Sequence, residues 1–175
     1  ESKLAQEAGL EIGPRGHIVV NEFMQTSDPD IYAVGDAIQV RHPVTGALTA
    51  IPLAGPASRQ ARIAASHITG QTTPYRGTLG TAIVKVFRLT AACTGANAHS
   101  LQQAGIPYLS TINHTNDHAS YYPGAMRQTI KLLYAPETGR LLGAQVVGYN
   151  AVDRTINTLS TAIQAGMTVY DLEHL

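Results

Sequence analysis

Thr26-Ser27-Asp28-Pro29-Asp30-Ile31-Tyr32-Ala33-Val34-Gly35-Asp36 is the stretch from which the rest of the chain is read. Ser27, Asp28 and Pro29 are turn formers and favour a chain reversal. Ile31 to Val34 is a short apolar run, long enough for one buried strand. Gly35 ends it, and the carboxylate of Asp36 follows just past the strand's carboxyl end. In open α/β sheets ligands bind at that end of the strands. A carboxylate there can accept hydrogen bonds from sugar-like hydroxyls. The same residues also read as a strand stopped by a Gly-Asp turn with no ligand, and physics alone favours this plainer reading.

Thr26, Tyr32, Ala33, Gly35 and Asp36 make a Thr followed by Tyr-Ala-x-Gly-Asp. That pattern resembles the second flavin-binding motif of the pyridine nucleotide–disulfide oxidoreductases. The resemblance implies that Asp36 holds a ribityl hydroxyl of FAD, with Gly35 beside it. It implies an α+β fold: a C-terminal dimerisation domain with an antiparallel sheet and helices on one face, preceded by the last segment of an α/β FAD-binding domain. The expected division is 1–74 for the C-terminal portion of the FAD/NAD-binding region and 75–175 for a dimerisation domain truncated at its C-terminus.

Composition sets the outer bounds. The 175 residues suit one or two small domains. Only 14% are charged, against roughly 25% in a typical soluble domain. Such a surface is expected to be hidden in part against a longer protein or a second copy. Twelve basic residues balance twelve acidic ones, which leaves no electrostatic footprint for nucleic acid. No apolar run approaches the length of a membrane span, and no signal-peptide pattern is visible. A single cysteine, Cys93, excludes an internal disulfide and points to a reducing, cytoplasmic setting. Both ends read as cut: Glu1 is not an initiator Met, and Leu175 directly follows a run, Val169 to His174, that reads as helix. The expectation is a piece of a longer enzyme.

In order along the chain, Ser2 to Ala8 reads as a short helix with Gly9 at its end. Gly13-Pro14-Arg15-Gly16 is a turn. His17 to Val20 reads as a strand, followed by an extended piece around Glu22 to Met24. Ala37 to Leu53, with Pro43, Gly46 and Pro52, is a hairpin or long loop. A helix then starts around Gly55, with Pro56 in its first turn. Ala57, Ala61, Ala64, Ala65 and Ile68 fall on one face, and Gly70 closes the helix. Gln71 to Gly80 reads as a linker. Beyond it come a strand over Thr81 to Arg88, an extended piece over Ala91 to Gly95 and a helix over Asn97 to Ala104. A strand over Pro107 to His114 follows, then strands over Arg127 to Tyr134 and Leu141 to Tyr149. Ala135-Pro136-Glu137-Thr138-Gly139 joins the last two as a hairpin turn. Asp153 to Ala165 is a helix with Ile156, Leu159, Ala162 and Ile163 inward. Thr168 caps a last helix.

Ala54-Gly55-Pro56-Ala57, with Arg59-Gln60-Ala61-Arg62, resembles the family's helix whose N-terminus points at the flavin. A helix N-terminus carries partial positive charge and free N–H groups, and would stabilise negative charge on a reduced ring. An ordinary packed helix is the equal alternative. From Thr81 onward the resemblance to the dimerisation domain is continuous, through Val84-Lys85-Val86-Phe87, Thr94-Gly95, Thr138-Gly139-Arg140 and Leu142 to Gly148. Tyr121-Tyr122-Pro123-Gly124, with Val152-Asp153-Arg154, looks most like the coenzyme A–disulfide reductases. That resemblance implies a catalytic role for Tyr121, with Tyr122 second, reaching the partner subunit's reactive sulfur. A phenol can donate a proton to a leaving thiolate. The plainer alternative is a pair of half-buried aromatics before a Pro-Gly turn.

His114, Asp117 and His118 cluster in a polar loop, but a fourth metal ligand is missing from the spacing. No metal is expected there. Cys93 has no adjacent Lys, Arg or His to lower its pKa and is expected to be buried and inert. No Gly-x-Gly-x-x-Gly occurs, so the family's two phosphate-cradling turns lie elsewhere. The implied parent is a homodimeric enzyme binding FAD and NADH or NADPH. It would reduce coenzyme A disulfide or a related sulfur species through a cysteine outside this chain. An NADH oxidase or peroxidase of the same superfamily is the alternative within the class. A non-catalytic dimerisation module is the alternative outside it.

Overall fold

The computed structural model describes residues 2–174, so Leu175 lies outside the described residues. The chain forms two compact units, one ending at Thr78 and the other beginning at Leu79.

The first unit contains helix α1 (Lys3–Glu7), a two-residue hairpin of β1 (Val40–Arg41) and β2 (Leu48–Thr49), and helix α2 (Ala54–Ile68). Its core is Met24, Ile38, Val40 and Ala64, packed by Val20, Tyr32, Ala33, Ile51, Ile63 and Tyr75. Little of the extended chain forms ladders. The expected strand at His17 to Val20 is a single bridging residue, Ile18, paired with Ile12 on one side and Ile38 on the other. Ile31 to Val34 likewise has one bridge, from Tyr32 to Gln25, and Ile31 and Val34 are exposed. An apolar run can favour extended backbone, but a ladder needs a partner at each step, and the described residues supply one. Glu22 to Met24 is a turn rather than an extended piece. The Asn21 side chain organises it by accepting the N–H groups of Phe23 and Gln25 at 2.9 and 3.1 Å, with Met24 at φ 70°.

α2 presents a different face from the expected one. Gln60 and Ala64 are its buried residues, flanked by half-buried Pro56, Ala57, Ile63 and His67. Ala61, Ala65 and Ile68 are exposed. Burial free energy scales with area, and three alanine methyls offer little. The larger Ile63 and His67, with the two hydrogen bonds of Gln60, decide the rotation.

The second unit is a five-stranded antiparallel sheet in the order β3-β4-β7-β6-β5. The strands are β3 (Ala82–Val86), β4 (Leu89–Gly95), β5 (Leu109–Asn116), β6 (Arg127–Tyr134) and β7 (Leu141–Gly148). Helix α3 (Ala98–Gln103) joins β4 to β5. Its cap is reciprocal: Asn97 Oδ1 accepts the Ser100 N–H at 2.8 Å and Ser100 Oγ accepts the Asn97 N–H at 3.0 Å. Helix α4 (Val152–Gln164) packs on β4 and β7. Val152, Ile156, Leu159, Ala162 and Ile163 are its buried side, each large aliphatic among them worth ~1.5–3 kcal/mol. Beyond α4 the expected last helix narrows to a 3-10 turn over Asp171–His174. Thr168 starts that turn by exchanging bonds with Asp171: its N–H and hydroxyl reach Oδ2, both at 2.7 Å.

Period-two alternation assigns the two faces of the sheet. Ala92 and Thr94 are buried beneath α4, so Cys93 between them faces the other way. Cys93 is exposed, not buried as its small neighbours suggest.

Candidate functional site

Gly35–Ala37 forms a 3-10 turn that follows extended Val34. Gly35 has φ +79°, and a Cβ there would sit 3.7 Å from the Ala57 Cβ. The turn therefore packs on the first turn of α2. Its first N–H is taken by Gln60 Oε1 at 2.8 Å. Asp36 is exposed, and its carboxylate makes no hydrogen bond or ion pair among the described residues. The start of α2 is equally open. Leu53 at the N-cap offers no side-chain cap and the first turn holds no acidic residue. Ala54 and Gly55 are exposed, with Pro56 and Ala57 half-buried. Free N–H groups and partial positive charge thus lie beside a free carboxylate acceptor. That pairing can take both a hydroxyl-bearing chain and an electron-rich ring.

Tyr121 and Tyr122 lie on the loop between β5 and β6, in the second unit. They are 84% and 62% exposed, not half-buried, and their ring centroids are 5.2 Å apart. The loop is closed at its base by Asp117 and Met126. The Asp117 N–H reaches the Met126 carbonyl at 3.0 Å, and the Met126 N–H returns to Asp117 Oδ1 at 2.8 Å. His118 Nδ1 lies 3.0 Å from the same carboxyl oxygen. The Met126 N–H is the main reason the Asp117 carboxyl ionises below the usual carboxylate range, with His118 and Asn150 adding to it against the cost of desolvation. His114 pairs instead with Thr129 across the β5–β6 ladder, Nδ1 to Oγ1 3.0 Å. Asp117 thus serves the loop, with His118 beside it and His114 on the neighbouring strand.

The motif reading names Gln60 and Asp117 without their hydrogen-bonding roles and passes over Tyr75. The signal for Gln60 was a polar residue between Ala57 and Ala64 on one helical stripe, since a buried amide must find partners. Tyr75, inside the supposed linker, packs on the first unit's core and meets Gln60 Nε2 through its hydroxyl at 3.2 Å.

Residues 81–175 match the family described as pyridine nucleotide-disulphide oxidoreductase, dimerisation domain, and residues 1–67 match the pyridine nucleotide-disulphide oxidoreductase family. Among solved structures, reduced Bacillus anthracis CoADR-RHD superposes with a TM-score of 0.97 at 50% identity, over 100% of this chain and 32% of that one. A NAD-dependent persulfide reductase from A. fulgidus gives 0.97 at 43% identity, over 100% and 33%. A coenzyme A disulfide reductase of Staphylococcus aureus is 33% identical over 98% of this chain and 39% of its own length. An NADH oxidase of Enterococcus faecalis is 36% identical over 93% and 36%. The chain thus spans about a third to two fifths of the proteins it matches. It belongs to the pyridine nucleotide-disulphide oxidoreductases and carries their dimerisation domain.

Proposed function

We propose that the full-length protein is a cytoplasmic, homodimeric, FAD-dependent NAD(P)H:disulfide oxidoreductase acting on coenzyme A disulfide or a related sulfur species. Residues up to about 74 complete its flavin-binding region, and those from about 75 form its dimerisation domain. One observation carries the reading: a free Asp36 carboxylate set on a turn that packs against the uncapped start of α2. Asp36 accepts a ribityl hydroxyl. Gly35 supplies the left-handed backbone, φ +79°, with which the turn starts. The first-turn backbone of Ala54, Gly55, Pro56 and Ala57 faces the electron-rich part of the ring. FAD, when bound, supplies the two-electron relay between nicotinamide and sulfur. Tyr121, with Tyr122 second, places a phenol where a partner subunit's sulfur chemistry needs a proton donor.

The exposed apolar residues of the sheet support the homodimer. Val84, Val86, Leu89, Val147 and Ile112 share the face away from α4 by register. Val84, Val86, Leu89 and Val147 lie on the adjoining strands β3, β4 and β7, with Ile112 set apart beyond Thr129 and Lys131 of β6. An exposed apolar cluster of this kind supports an interaction surface, and a two-fold pair is the commonest way to cover one. Sedimentation of the isolated chain tests this part, and a monomer at high concentration speaks against it.

The substrate is tested by anaerobic oxidation of NADH and NADPH with coenzyme A disulfide, compared with NADH and oxygen alone. Disulfide-dependent turnover is expected to dominate. Equal or faster turnover with oxygen moves the protein to the NADH oxidase reading, which the Enterococcus faecalis relative favours.

A further inference from the structure

We infer that Gln60 is a positioning residue for the flavin-holding turn. Its buried carboxamide locks the Gly35 N–H and thereby aims Asp36 at the ligand. The inference rests on the FAD reading of Asp36 given above.

The turn is weakly held from within. Its one internal bond, from the Ile38 N–H to the Gly35 carbonyl, is long at 3.4 Å. Gly35 is left-handed at φ +79°, a conformation glycine can also leave at little cost. The Asp36 side chain has no partner among the described residues, so its direction is set by the backbone on either side. That backbone is fixed at two points. After Asp36, the Ala37 carbonyl accepts the Ile18 N–H at 2.9 Å. Before it, the Gly35 N–H donates to Gln60 Oε1 at 2.8 Å.

A carboxamide can face either way, and only one way works here. With Oε1 toward Gly35, Nε2 donates to the Tyr75 hydroxyl at 3.2 Å. Reversed, an N–H₂ would oppose the Gly35 N–H, donor against donor. The Gly35 N–H, a donor only, is therefore what selects the productive orientation, and the Tyr75 hydroxyl, which can donate or accept, takes the Nε2 end. Tyr75 is itself anchored, its N–H reaching the Glu22 carbonyl at 2.7 Å. Gln60 is 2% exposed, so water cannot replace either bond cheaply. The relay runs from Glu22 through Tyr75 and Gln60 to Gly35, and ends at the Asp36 carboxylate.

The test is a double-mutant cycle in the full-length protein with Gln60→Met, Asp36→Ala and both together. The readouts are the FAD dissociation constant, from fluorescence during reconstitution of the apoprotein, and the melting temperature of the apoprotein. Gln60→Met is expected to weaken FAD binding roughly tenfold. If it acts through Asp36, the double variant binds FAD no more than about twofold more weakly than Asp36→Ala alone. A buried amide with a merely structural role gives factors that multiply, and that result overturns the inference while leaving the Asp36 reading intact. Unchanged affinity in Asp36→Ala alone overturns both. Should Gln60→Met fail to fold, Tyr75→Phe in the same cycle decides. It removes one hydroxyl, and is expected to weaken FAD binding by a smaller factor that vanishes in the Asp36→Ala background. Multiplying factors in that second cycle overturn the inference equally.

Discussion

Replacing Tyr121 by Phe in the full-length protein separates chemistry from structure. The Tyr121 ring is 84% exposed, and its hydroxyl has no hydrogen-bond partner among the described residues. The ring contact with Tyr122, at 5.2 Å between centroids, survives the change. Loss of the hydroxyl should therefore alter stability by no more than about 0.5 kcal/mol, the usual range for surface substitutions. Reduction of the flavin by NAD(P)H needs no phenol and should be unaffected in stopped-flow. Turnover with coenzyme A disulfide should fall by roughly 10²–10⁴ if proton donation is lost, or ~3–5 kcal/mol in the barrier. A further arm uses the two-fold geometry. Tyr121→Phe subunits mixed with subunits lacking the reactive cysteine should regain part of their activity, because one site of each mixed dimer holds both groups. Normal turnover in both Tyr121→Phe and Tyr122→Phe would refute the reasoning and leave the loop a structural feature.

Asp36→Ala in the full-length protein should raise flavin loss on dialysis about ten- to a hundredfold, since hydrogen bonds to charged groups contribute roughly 1.5–3 kcal/mol. The apoprotein should melt at its usual temperature, because the carboxylate has no partner among the described residues; unchanged flavin content would remove Asp36 from the site. Gly143→Ala should cost at least about 3 kcal/mol and be visible as a lowered melting temperature. A Cβ there would overlap the Ala96 carbonyl oxygen, so an unchanged melt would contradict that approach. Asp117 ionises below the usual carboxylate range, so its folded form binds a proton less readily than its unfolded form. Its contribution to stability is complete above about pH 5 and is lost as pH falls below ~4 through the depressed value. Asp117→Asn should flatten that acid limb in pH-dependent melting, and an identical limb in the variant would count against the Met126 clasp.

Where side-chain size and turn chemistry agree, the fold was legible. The Ala135 to Gly139 turn between two β-rich runs specifies the β6–β7 hairpin. Ile156, Leu159, Ala162 and Ile163 are the large or central residues of one α4 face, and no competing face exists. α2 failed because its pattern was alanine. Many alanines satisfy a helical period on several faces, so the packing partners choose. Cys93 failed for a related reason. A strand of small residues hides its alternation, and only α4, 57 or more residues downstream, shows which side is covered. The motif spacing brought out Gly35 and Asp36, but no spacing rule connects them to Gln60 or Tyr75. Gln60 meets the turn only once α2 has folded back on it, and Tyr75 reaches it only through Gln60.

The same physics recurs in the second unit, at Gln128. Its side chain is 2% exposed. Nε2 donates to the Asn150 carbonyl at 2.6 Å, and Oε1 accepts the Thr155 hydroxyl at 2.9 Å. Between those partners lies Ala151, left-handed at φ 56°, a conformation that disfavours a residue with a Cβ. The amide holds both sides of that entry and so fixes where α4 begins. Gln60 and Gln128 are each asked to donate at one end and accept at the other, in the dry interior. A glutamate lacks the donor when ionised, and a leucine lacks both. A leucine leaves a backbone group without its side-chain partner at either place, the Gly35 N–H or the Asn150 carbonyl, at a cost of ~1–3 kcal/mol. A glutamate does the same at position 128, and at position 60 it keeps the Gly35 N–H only by burying a charge. An amide therefore serves both places, once beneath the Gly35–Ala37 turn and once beneath the start of a core helix.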